Sequence, residues 1–168
     1  MRIHIFSRCL AVAAFVLSAA SANADRFFSG GIHCNVLSEE DRTVEVAAIH
    51  SGEDEYEGDL VVPERVVWNG ITYTVTSIGY EAFENCDALT SVSCPASLTS
   101  IGDYAFNCCY ALTSVDLSST SLTSIGYATF SGCYALTSVS FPASLTSIGY
   151  NAFYNCGALT SVDFSSTS

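Results

Sequence analysis

Seven of the chain's eight cysteines lie beyond residue 33, and thiolate or metal chemistry is the first reaction type they invite. Four of them, Cys86, Cys109, Cys133 and Cys156, recur at one place in a repeated unit. If those units stack as strands do, neighbouring Cα atoms fall about 4.8 Å apart, which is within disulfide reach. Their Cβ vectors would then run parallel, which suits the disulfide dihedral poorly. Four ligands in a line also cannot surround zinc as a tetrahedron. The favoured reading is a column of small buried thiols packing as apolar groups, with a disulfide between adjacent rungs as the alternative. Cys94 stands where Leu117 and Phe141 stand, so it belongs to the core. Cys108 stands where Asn85, Gly132 and Asn155 stand, which makes it the exposed thiol and a candidate for intermolecular pairing. Cys34 falls on a predicted strand near the N-terminus.

Other chemistry is less well supported. The run Glu53-Asp54-Glu55-Tyr56-Glu57-Gly58-Asp59 carries enough oxygen for calcium, but its spacing does not follow an EF-hand loop. A solvated acidic loop is the simpler reading. His33 and His50 fall in no Ser/His/Asp or Cys/His signature. There is no Gly-rich phosphate loop and no HExxH helix. The sequence therefore assigns no catalytic residue, no metal site and no cofactor, and a non-enzymatic role is expected.

Charge narrows the partners. Five Arg and no Lys face 17 Asp and Glu, a net charge of −12 over 168 residues. Nucleic acid is excluded, because phosphate binding needs clustered cations, and so is attraction to an anionic membrane surface. With 49% apolar and 13% charged residues, the chain can build a core, and its length suits one domain.

The start has the layout of a secretory signal peptide: basic Arg2, His4 and Arg8, an uncharged run over 9–20, then small residues around Ala22-Asn23-Ala24. That run is too short to span a bilayer, which takes roughly 20 apolar residues. Residues 1–24 are read as this signal, with export to the cell surface or medium. Cleavage after Ala24 would leave an odd number of cysteines.

Self-similarity decides the architecture. From Val75 the chain reads VTSIGYEAFENCDALTSVSCPAS, and from Leu98 LTSIGDYAFNCCYALTSVDLSSTS. From Leu122 it reads LTSIGYATFSGCYALTSVSFPAS, and from Leu145 LTSIGYNAFYNCGALTSVDFSSTS. The four units span 75–97, 98–121, 122–144 and 145–168, with lengths alternating 23, 24, 23, 24. None can bury its apolar side chains alone, so the units must stack with like residues in columns. In each unit Leu-x-x-Val-x-apolar places two inward residues on a short strand. Ile78, Ile101, Ile125 and Ile148 line a second wall. Phe83, Phe106, Phe130 and Phe153 plug the interior from what is read as a short helical turn. The expected fold is a right-handed parallel solenoid of β-strands with short helical turns.

Residues 25–74 differ in composition and are read as an N-terminal β cap. Segments 32–37 and 43–47 pair around a turn, Asn69-Gly70 marks a two-residue hairpin, and GDLVVP from Gly58 resembles a degenerate first coil. The last coil has no evident cover, so self-association through that C-terminal edge is an alternative role.

These units resemble the BspA-type leucine-rich repeats of bacterial surface proteins, with the core pattern IG-x-x-AF-x-x-C-x-x-L-x-x-V, and the GDLVVPERVVWNGITYTVTSIG lead-in is similar to those of Bacteroides- and Prevotella-like members. The resemblance implies a leucine-rich-repeat solenoid. It also implies a secreted or surface role in binding proteins or glycans, host extracellular matrix among them. The candidate surface follows from the repeats. Tyr80, Tyr127 and Tyr150 form one row, and Tyr110 and Tyr134 another. The outward strand face carries Ser91 with Ser93, Ser114 with Asp116, Ser138 with Ser140, and Ser161 with Asp163. Tyrosine supplies rigid area plus a hydroxyl, which interfaces favour. The plain alternative is that the rings only shield the turns between coils.

Overall fold

The computed structural model describes residues 26–50 and 55–162. The signal segment, Glu53 and Asp54 of the acidic run, and Asp163 lie outside the described residues.

Alternating apolar residues build the first strands: β1 (Arg26–Ser29), β2 (Ile32–Ser38) and β3 (Thr43–Val46). β1 and β2 pair antiparallel, as do β2 and β3. Ile32, Cys34, Val44 and Val46 all turn inward and are fully buried. β4 (Gly58–Val61) follows, then the hairpin of β5 (Arg65–Trp68) and β6 (Ile71–Ile78). The hairpin turn is the expected Asn69-Gly70, with φ of 50° and 77°, the left-handed pair that such a two-residue loop requires. Phe27 stacks on Trp68 at 5.1 Å and ties β1 to this hairpin.

β6 belongs to both halves of the molecule. Its first half pairs antiparallel with β5, while its last two residues pair parallel with β8 (Ser100–Ile101). On its other side lies β3, also parallel. The sheet order β1-β2-β3-β6-β5, with β8 against β6, therefore mixes both senses and leads directly into the repeats. The short wall continues with β10 (Ser124–Ile125) paired to β12 (Ser147–Ile148). The long wall is all parallel: β4, then β7 (Leu89–Ser93), β9 (Ser114–Asp116) and β11 (Ser138–Ser140). GDLVVP thus supplies a true first rung, with Leu60 opposite Val92 and Val62 N donating to Ser93 O at 3.0 Å.

Between the walls runs a dry interior. Leu89, Leu112 and Leu136 are buried in file, as are Val92, Val115 and Val139. Phe83, Phe106, Phe130 and Phe153 stack nearly parallel, with ring centroids 4.9, 5.2 and 5.4 Å apart. Tyr56 meets the first ring edge-on at 5.0 Å and closes the column.

The expected helical turns are absent; among the described residues every regular element is a strand. The reason is visible in the backbone. In each coil the segment before the long wall holds two residues at positive φ, such as Glu81 (54°) and Asn85 (59°), which no right-handed helix accommodates. Its alternate amides bond to the next coil rather than back along their own: Phe83 N donates to Ala105 O and Phe106 N to Thr129 O, both at 2.8 Å. The recurrent glycine before this segment serves close approach. Gly79, Gly102, Gly126 and Gly149 are not at positive φ, and a Cβ on Gly102 would lie 2.8 Å from Tyr80 N.

Because the Phe column is continuous, Phe106→Ala should cost about 3–5 kcal/mol and lower the urea midpoint accordingly. Phe153→Ala, at the half-buried end of the file, should cost clearly less. Equal losses would contradict a column packed most tightly at its centre.

Candidate functional site

The segments 79–88, 102–111, 126–135 and 149–158 lie side by side and form a ridge between the two walls. Its spine is a one-way hydrogen-bond stack. Glu81, Phe83 and Asn85 amides donate to Asp103, Ala105 and Asn107 carbonyls, and the pattern repeats from the second coil to the third and from the third to the fourth. Alternation of right- and left-handed residues makes this possible, because it turns every second N–H the same way. The left-handed positions are Glu81, Tyr104, Ala128 and Asn151, then Asn85, Cys108, Gly132 and Asn155. Asn and Gly fit there readily, whereas Cys108 does not.

Ala and Phe go in, while Tyr and acids come out. Tyr80, Tyr127 and Tyr150 are all exposed, Tyr150 most (77%) and Tyr127 least (39%). The repeat pattern puts Asp103 where this row needs a ring, which would leave a gap. Tyr104, one residue later, fills it: its ring lies 6.0 Å from Tyr80 and 5.2 Å from Tyr127, edge to face in both cases. Tyr127 then stacks on Tyr150 at 6.1 Å. The row has four members rather than three, and the off-register Asp-Tyr pair conceals the fourth in sequence. Tyr110 and Tyr134 stack at 5.5 Å and 11° as a second row. Exposed Tyr154 adds another ring on the fourth coil.

The acids cluster at one end of the ridge. Glu81, Glu84 and Asp87 lie on its first coil, Asp103 on its second, and none on the third or fourth. The Tyr80 phenol is pushed up to about 12, first by its hydrogen bond to Glu81 and then by desolvation and nearby carboxylates. Asn107 donates to Glu84 Oε1 at 2.8 Å, and Asp103 Oδ1 accepts the Tyr127 amide at 2.7 Å.

The Ser/Asp rows sit elsewhere in each coil, on the long wall, so the structure does not merge them with the tyrosines. Ser93 and Ser140 are half-buried, and Asp116 is exposed. The Asp116 carboxylate is already engaged by Ser118, from its amide at 3.0 Å and its hydroxyl at 2.7 Å. Asp59 heads this face, opposite Ser91. It accepts Ser91 Oγ at 2.6 Å and Thr90 Oγ1 at 2.8 Å, and these bonds hold its carboxyl below the usual range. Its role as a rung residue emerges only from the pairing of β4.

The thiols are structural. All seven cysteines among the described residues are free. Cys109, Cys133 and Cys156 each donate S–H to the Phe carbonyl of the preceding coil, at 2.9, 3.0 and 3.0 Å. Burial pushes Cys86 up to about 11, and Cys34, Cys94 and Cys156 to about 12. At neutral pH these sulfurs are thiols rather than nucleophilic thiolates. Among the described residues no three His, Cys, Asp or Glu side chains are grouped to hold a metal ion, and no helix is long and apolar enough to cross a membrane.

Comparison with known proteins follows the same lines. The family model for the BspA type leucine-rich repeat region (six copies) matches residues 69–168. The chain belongs to this family. A leucine-rich repeat protein from Bacteroides ovatus shares 37% identity and superposes with a TM-score of 0.65, over 74% of this chain and 31% of that one. The chain thus spans about a third of that relative's length. One from Bacteroides capillosus shares 26% identity with a TM-score of 0.66, over 83% of this chain and 97% of that one. The leucine-rich repeat protein of T. pallidum shares 25% identity with a TM-score of 0.51, over 78% and 67% of the two chains. No curated protein matches the sequence.

Two predictions follow for the thiols of this BspA-type array. Folded pKa values above the ordinary thiol value mean that stability is intact below about pH 9 and falls as pH climbs toward 11–12, because the unfolded chain loses protons that the folded one keeps. A urea midpoint that rises from about pH 8.5 to 10.5 would contradict this. Cys108, half-exposed and left-handed at φ 58°, should be the thiol that reacts fastest with a disulfide reagent in native protein. Cys108→Asn should abolish that fast phase and leave the melting temperature equal or higher.

Proposed function

We propose that the protein is an exported, non-enzymatic interaction module that binds another protein through the tyrosine-bearing ridge. The observation that carries this reading is the continuous row of Tyr80, Tyr104, Tyr127 and Tyr150, of which Tyr104 is half-buried and the other three are exposed. A core explains none of these rings, and shielding of the turns does not require four in contact. The ring geometry also favours protein over glycan. Sugars pack flat on free aromatic faces, whereas here each inner ring turns a face or edge to its neighbour. What the row presents outward is rims and hydroxyls, which suit the mixed apolar and polar contacts of a protein interface.

Export is supported by the basic start, apolar run and Ala-x-Ala site of residues 1–24. Attachment to host matrix is supported by the resemblance to adhesive BspA-type surface proteins. A rigid scaffold lets many weak contacts act together without an ordering cost at each one.

The test is binding to immobilised extracellular-matrix proteins by wild type and by the Tyr80/Tyr127/Tyr150→Ala variant. The expected result is a loss of about tenfold or more, as for removal of aromatic anchors, with little change in melting temperature. Equal binding by both, at equal stability, removes the ridge from the mechanism.

A further inference from the structure

The tyrosines and the carboxylates of the ridge are not distributed alike. Residues 66–168 contain no Lys, Arg or His, so no acid there meets a cation of its own repeat. Four of the six carboxylates in that stretch, Glu81, Glu84, Asp87 and Asp103, fall on the first two ridge coils. The aromatic rows begin among them, at Tyr80, Tyr104 and Tyr110, and run on over coils that carry no charge.

Single hydrogen bonds account for some of these groups, Glu84 with Asn107 and Asp103 with the Tyr127 amide, but not for their gathering at one end of the ridge. The repeated amide-to-carbonyl bonds of the ridge spine, three between each pair of coils, run from one coil to the next. The carbonyls that accept these bonds point toward the first coil, and their aligned peptide dipoles make that end the negative pole. Stability alone would put cations there, as it does at a helix C-terminus. The sequence instead puts three carboxylates on that coil, which concentrates negative potential at a cost to the fold.

We propose that the first two ridge coils receive an extended Lys/Arg-rich segment of a protein partner. Its cations meet Glu81, Glu84, Asp87 and Asp103, and its apolar stems lie along the tyrosine rims. The inference rests on the ridge being a protein-binding surface and names the chemistry of the occupant. Long basic side chains satisfy both halves of the surface, because their methylenes cover apolar area while the charged heads stay on acceptors. Phenol and carboxylate oxygens both accept from guanidinium or ammonium. An acidic segment would be repelled, and a neutral one would leave the negative charge of this end unmatched. A phenol is uncharged at neutral pH, and the hydrogen bond to Glu81 pushes the Tyr80 group further from ionisation, so the tyrosine adds no charge of its own.

Fluorescence anisotropy with a labelled Arg/Gly/Ser peptide, and with its Glu-for-Arg counterpart, tests this on the full mature chain. The basic peptide should bind at low salt and the acidic one should not, and raising salt to about 0.5 M should weaken binding at least tenfold. A ridge variant with Glu81→Gln, Glu84→Gln, Asp87→Asn and Asp103→Asn keeps the acceptor atoms that Asn107 and Tyr127 use. It should lose about tenfold or more in affinity, as close charge pairs do. A cap variant with Glu39→Gln, Glu40→Gln, Glu57→Gln and Glu64→Gln changes net charge equally and should stay within about twofold. No binding of the basic peptide by wild type, or equal loss in both variants, overturns the assignment. The matrix-binding assay separates the two readings. Tyrosine-dependent matrix binding that persists in the ridge charge variant sinks only the basic occupant, while matrix binding indifferent to the tyrosines sinks the ridge as an interface.

Discussion

The structure depends on hydrogen bonds made from one coil to the next. A coil of 23 or 24 residues cannot satisfy its own backbone: its strands are two to five residues long, and its ridge contains no helix. Buried amides without partners are not tolerated, so each coil must find its donors and acceptors in its neighbours. Long wall, short wall and ridge all do this. Threonine adds to it, since Thr113 and Thr137 hydroxyls donate to the carbonyls of Thr90 and Thr113, both at 2.9 Å. The cysteine column belongs to the same scheme, with the S–H of Cys109, Cys133 and Cys156 reaching the Phe carbonyl of the preceding coil. The aromatic file fills the space these bonds enclose, and its centroid spacing matches the rung spacing of a sheet.

The N-terminal region works under the same constraint. A solenoid exposes an open edge at its first coil, and open edges recruit other strands. Here β3 and β4 occupy the two walls ahead of the first full repeat, while the β1–β2 and β5–β6 hairpins extend the β3 sheet edge to edge on its two sides. Tyr56 closes the Phe file and accepts the His33 amide at 2.9 Å. Burial pushes its own phenol up to about 12. Cap and array are continuous through β6, whose alternation serves antiparallel pairing at one end and parallel pairing at the other.

Much of this was legible because the residues repeat. Four aligned Phe, Leu and Val positions can only be a stacked interior, and Asn69-Gly70 can only be a tight hairpin. The exposed faces of Tyr80, Tyr127 and Tyr150 followed from register alone. What failed to show was everything set by conformation rather than identity. Ala-Phe reads locally as helix, and nothing in its composition announces that alternate amides turn toward another coil. Glu81 and Tyr104 are poor candidates for left-handed backbone, so that alternation was hidden. Tyr104 escaped the row because its column position belongs to a different set of residues, Glu81, Ala128 and Asn151 in the other coils, and its ring reaches the row from there. The Asp59 rung was masked by the loss of repeat identity ahead of Val75, although its GDLVVP context already suggested a coil.

The alternation of 23 and 24 residues leaves the molecule with two rulers. Along the ridge every coil contributes a tyrosine, so a visitor tracing it meets a mark about every 5 Å, near the per-residue advance of neither an extended strand nor a helix. On the linking side, Pro95 and Pro142 recur only in alternate coils, with the Ser-rich link of Ser118 and Ser121 between them. There the graduation doubles to about 10 Å, close to three residues of extended chain. A binder that reads one side has no reason to be in phase with the other, so the two flanks of a single scaffold can be tuned for different visitors by editing one link length.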